Sequence, residues 1–103
     1  MADAFTYKLT TESELFSFDF SQVLAATETI STANCSVLVV DGEDTNPSSI
    51  LTGTVSISGS KASIRVIDGI SEVTYRLVMT IVTSSTNTYT AVGDLPVYDP
   101  SLI

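Results

Sequence analysis

Glu72-Val-Thr-Tyr-Arg-Leu-Val-Met-Thr-Ile-Val-Thr83 is the stretch whose reading decides the fold. Successive side chains of an extended chain point to opposite faces. Val73, Tyr75, Leu77, Met79 and Ile81 therefore share one face, and Arg76, Val78, Thr80 and Val82 share the other. No Gly or Pro interrupts the run, and β-branched and aromatic residues dominate it, which predicts a strand of about ten residues. One face is wholly apolar and the second partly so, the pattern of a central strand rather than an edge.

On its N-terminal side, Lys61 to Ile67 alternates with Ala62, Ile64 and Val66 inward, and Asp68-Gly69 is a hairpin-type signal. On its C-terminal side, Ser84 to Thr88 turns the chain and Tyr89 to Val92 returns it. Gly93-Asp94 is expected to break that returning strand. Pro96 and Pro100 then confine the ending Leu95 to Ile103 to a sheet edge or an irregular tail.

Further out, Ile50 to Ser58 reads as a strand in which Gly53 marks a bulge or bend, followed by a turn at Ser58-Gly-Ser60. Asp41 to Ser49 gathers Gly, Asn and Pro into a polar, exposed loop. Thr29 to Val40 is another strand, with Ala33, Cys35, Val37 and Val39 on one face. Ahead of it, Phe20, Val23 and Leu24 share a helical face with Asp19 or Ser21 as N-cap, so residues 21–26 read as one short helical turn plugging the end of the fold. Leu15 to Phe20 is an extended piece, and Ala4 to Leu9 a short opening strand. Short strands at such spacing predict an all-β, antiparallel two-sheet sandwich forming a single domain over residues 1–103. Residues 95–103 are set apart as an extended docking tail.

A chain of 103 residues with 12 acids against 4 bases, net −8, repels phosphate backbones and anionic lipid. Neither nucleic acid nor membrane is an expected partner. No apolar run approaches the roughly twenty residues that span a bilayer, and the first residues carry no basic-then-apolar leader. Cys35 stands alone, so no internal disulfide forms, and its place in an alternating run makes it a small buried apolar residue.

The chain contains no histidine, which removes Ser-His-Asp, Cys-His and histidine-bearing zinc chemistry. Carboxylate pairs could still hydrolyse glycosides. The acids, however, sit mostly in turns, where nothing desolvates one of a pair to separate their pKa values. No enzyme activity and no cofactor are expected. Asp41, Glu43 and the Thr45 backbone place oxygen ligands at alternate positions, but Gly at the sixth place and a carboxylate at the twelfth are missing, so a solvated acidic loop is the preferred reading over a calcium site. Tyr75 and Tyr89 could stack on sugars; Tyr75 on the apolar face reads instead as core, its hydroxyl bonded to a nearby loop backbone. Tyr98, Leu102 and Ile103 either pack on their own domain or dock elsewhere.

Phe18-Asp-Phe-Ser-Gln-Val-Leu-Ala-Ala-Thr-Glu-Thr-Ile30 and Thr74-Tyr-Arg-Leu-Val-Met-Thr-Ile-Val-Thr83 together resemble small Ig-like accessory proteins of tailed bacteriophages and prophages. In that family an acidic–aromatic pair precedes a helical turn, then Glu-Thr-Ile opens the next strand, and a Thr-Tyr pair opens a long one. The chain departs from it in lacking a Trp around Cys35 to Leu38 and in having Asp68-Gly69 where Gly-Gly is common. The resemblance implies an Ig-like sandwich that is a structural part of the virion, made in the host cytoplasm: a fibre-to-tail adaptor, a head or neck accessory, or a decoration protein. It implies other virion proteins and symmetry copies of the chain as partners. On that reading, the N-terminal strand and the ending carry the assembly contacts, through Phe5, Tyr7, Leu95, Val97, Tyr98, Leu102 and Ile103. A host-glycan-binding, adhesin-like module is the alternative.

Overall fold

A computed structural model describes residues 2–4 and 7–103. Among the described residues, eight strands run in chain order: β1 (Ala2–Ala4), β2 (Lys8–Leu9), β3 (Glu14–Asp19), β4 (Ile30–Asp41), β5 (Leu51–Ser58), β6 (Lys61–Val66), β7 (Val73–Thr83) and β8 (Thr88–Tyr98). Single 3-10 turns occupy Pro47–Ile50 and Pro100–Leu102. One sheet has the order β1-β8-β7-β4, with β2 also on β8; the other is β3-β6-β5. The two face each other as an all-β sandwich, 47 × 21 × 20 Å along its principal axes.

The central strand is where its alternation puts it, between β4 and β8. Val73, Tyr75, Leu77, Met79 and Ile81 are each 3% exposed or less. They meet Phe16, Phe18, Ala62, Ile64 and Val66 of the smaller sheet and Ala91, Leu95 and Val97 of β8 in one core. Ala33, Cys35, Val37 and Val39 of β4 pack against its margin. Cys35, expected to be buried, is only partly so, and that burial pushes its thiol up to about 11.

Between β3 and β4, Phe20 is fully buried and its carbonyl accepts from the N–H groups of both Val23 and Leu24. This is a single turn of helical hydrogen bonding that does not propagate. Gly53, at φ +76°, sits at a register irregularity between Thr52 and Ser56 of β5, the expected bulge. Gly59, at φ +59°, takes the first place of the two-residue β5–β6 hairpin turn, where positive φ is required.

Three expectations are corrected. Asp68 and Gly69 do have positive φ, 53° and 101°, as a hairpin pair would. Yet β6 and β7 belong to different sheets, so the dipeptide starts a crossover and not a hairpin. Gly69 is needed for another reason: a Cβ there would come within 3.0 Å of the Val97 side chain. Second, β8 runs unbroken through Gly93-Asp94, because Asp94 lies opposite Arg76 and closes a two-pronged ion pair of 2.7 and 3.0 Å with it. Pro96 is thus inside an inner strand, between the residues paired with β1 and those paired with β2. Third, the sheets are not wholly antiparallel: β1 and β2 both join β8 in parallel.

Candidate docking surface at one end of the sandwich

The start of β7, the end of β8, β2 and the loops after β4 and β6 converge on one end of the molecule. Three sets of polar contacts fix their arrangement. Tyr75 is fully buried, and its hydroxyl accepts from the Ile70 N–H at 2.9 Å and donates to Asp44 at 2.7 Å. One phenol thereby ties the crossover to the loop after β4. Desolvation, with the Asp44 carboxylate holding the proton in place, pushes it up to about 12. Lys8 is also fully buried; its ammonium donates to the carbonyls of Leu9 at 2.9 Å and Asp68 at 2.5 Å. Burial lowers its pKa, opposed by the charges of Asp68, Glu12 and Glu14. The Asp99 N–H donates to the Ser71 hydroxyl at 2.9 Å, which anchors the segment after β8 to the same crossover.

On this frame stand the exposed apolar groups. Tyr7 and Tyr98 meet edge to face, ring centres 6.0 Å apart and planes at 70°. Asp99 caps the following 3-10 turn by accepting from the Ser101 N–H, and Leu102 and Ile103 leave it 54% and 66% exposed. Ile70 is exposed nearby in sequence to the crossover contacts. A half-open cavity of about 230 Å³ is lined by Asp41, Glu72, Val73, Thr74, Val97 and Tyr98.

Of the residues expected to make contacts, Tyr7, Tyr98, Leu102 and Ile103 reach the surface, Tyr98 only in part. Leu95 and Val97 are spent on the domain's own core, on the inward face of β8. Phe5 lies outside the described residues. Sequence reasoning gave Lys8 no role, placed Asp44 only in a solvated acidic loop, and named Glu28 only in the Glu-Thr-Ile motif. Only Glu28 carries a local signal, since it stands three residues after Ala25 and accepts that residue's N–H at 3.0 Å, as a capping box does.

Glu28 organises the opposite end. It is buried, and it also accepts from the Thr83 hydroxyl and from Asn87 at 2.9 Å. Those donors, Thr83 first, hold its carboxyl below the usual range. Among the described residues, no three His, Cys, Asp or Glu side chains come together as a metal cluster. Asp44 is committed to Tyr75 and to the Asn46 N–H. Among the described residues, no helix is long and apolar enough to cross a membrane.

Fold and surface together define a structural β-sandwich domain, its polar interior groups spent on holding loops and strands in place. Residues 8–95 match the model of the family described as podophage GP4 fiber-tail adaptor protein gp77, and the chain belongs to that family. Membership implies a structural role as a virion component and contact with other virion proteins. Neither the curated proteins nor the solved structures yielded a match.

Proposed function

We propose that this chain is a non-enzymatic adaptor between tail and fibre, and that the end bearing Tyr7, Tyr98, Leu102 and Ile103 carries the contact to its partner in the virion. The observation that supports this most is the exposure of Leu102 and Ile103 on a segment that Ser71 and Asp99 hold in place. Apolar groups presented on an anchored frame lose little freedom when they are covered. The net charge of −8 argues against a direct nucleic-acid contact, so the partner is protein. Synthesis in the host cytoplasm fits a chain with a single cysteine.

The test is incorporation. A Leu102→Ser/Ile103→Ser chain should remain folded by circular dichroism and be missing from particles purified after assembly in its presence. Incorporation at the wild-type level would refute the assignment of this end.

A further inference from the structure

The outer face of the larger sheet is a different surface, and its charge pattern is unlike the rest of the chain. The register places five rows across β4, β7 and β8: Thr32–Val82–Thr88, Asn34–Thr80–Thr90, Ser36–Val78–Val92, Leu38–Arg76–Asp94 and, past an irregularity in β4, Asp41–Thr74–Pro96. In a chain with 12 acids, the charges in these rows are Arg76 and Asp94, which neutralise each other, and Asp41 at one end. The remaining polar groups are partly satisfied within the face, as the Thr80 and Thr90 hydroxyls are by bonding at 3.2 Å. Leu38 and Val82 are 45% and 37% exposed there. No described strand covers this face.

We infer that two copies of this chain pair through this face, sheet against sheet. A copy with net charge −8 repels another at most orientations, and this face, whose one unpaired acid stands at its end, is where two can approach closely. The register also makes the face self-complementary. A two-fold axis lying across the strands at Val78 sets Val78 and Val92 against their own counterparts. It sets each Arg76–Asp94 pair against the other copy's Thr80–Thr90 hydroxyls, so that no like charges meet. Three strands of eleven or twelve residues make a face about 37 Å long and about 14 Å wide. Pairing then covers on the order of 1,000 Å² in total, at the lower limit for a specific interface. The pair is therefore weak and forms at micromolar or higher concentration. This inference does not rest on the adaptor reading.

Sedimentation equilibrium of the full chain, up to about 200 µM, brackets a pair of that strength. Wild type should show a concentration-dependent dimer. Val78→Glu, which puts two carboxylates together at the axis, should weaken it about tenfold or more. Leu102→Ser should dimerise like wild type. If Val78→Glu fails to fold, oxidation of Val78→Cys decides: it should give a disulfide-linked dimer, and Thr54→Cys on the exposed part of β5 should not. A wild-type chain that stays monomeric over the whole range overturns the inference, as does a face found covered by a different virion protein. Unweakened dimers of Val78→Glu, or equal cross-linking at the two cysteine positions, overturn it as well.

Discussion

Tyr75→Phe removes one oxygen and orphans two partners, the Ile70 N–H and the Asp44 carboxylate. A buried donor left unsatisfied costs about 1–3 kcal/mol, and urea unfolding at neutral pH should show a loss of that size. The same substitution has a signature in pH. The folded phenol is pushed up to about 12, whereas the unfolded one ionises near its ordinary value of about 10. The folded state thus keeps a proton that the unfolded state releases. Its contribution is complete below pH 10 and disappears as pH rises toward 12. Unfolding free energy of the wild type should fall across that window, and the fall should be shallower in Tyr75→Phe. Glu28 behaves in the opposite sense. Its folded carboxyl is held below the ordinary value, so its stabilisation is present above about pH 4.5 and vanishes as pH drops through the folded value. Glu28→Gln should be less stable at pH 7 and lose less on acidification, a comparison that paired urea titrations at pH 7 and pH 3 make directly. Little of this was legible in the sequence. Tyr75 could be placed in the core by alternation, and a loop partner expected for its hydroxyl. Asp44 and Lys8 find their partners 31 and 60 positions away, and no local pattern encodes that.

At the scale of elements, β7 carries the core. Leu77, fully buried midway along it, should cost about 2–5 kcal/mol when cut to Ala, because the cavity left between two packed sheets collapses only in part. Val82→Thr, on the outer face of the same strand, should stay within about 0.5 kcal/mol. Measuring both by denaturant unfolding separates the two faces that the alternation distinguishes. That alternation was readable for β4, β6 and β7 because each buries one side, and a period of two leaves no other extended arrangement. The extent of β8 was not readable. Gly93, Asp94 and Pro96 are individually strand breakers, and only the pairing with β7, including the Arg76–Asp94 bridge, keeps the strand whole. Asp68-Gly69 misled for a related reason. Both residues adopt the turn conformation their chemistry favours, but the sheet to which the next strand belongs is decided by long-range packing. The parallel addition of β1 and β2 to β8 likewise has no local signature.

For the molecule as a whole, the description that accounts for these observations is a sandwich whose described buried polar groups hold loops and strands in place, with two kinds of surface left for contact. One end presents Tyr7, Tyr98, Leu102 and Ile103 on an anchored frame, and one broad face carries a single unpaired acid, Asp41, at its end. Membership of a fibre–tail adaptor family gives such surfaces a use. The most direct test of that account is a cryo-electron microscopy map of the particle in which this chain is assembled. It should place the chain between tail and fibre, with the Tyr7–Tyr98 end buried against a neighbouring virion protein. A map with the chain elsewhere in the particle, or with that end open to solvent, would contradict it.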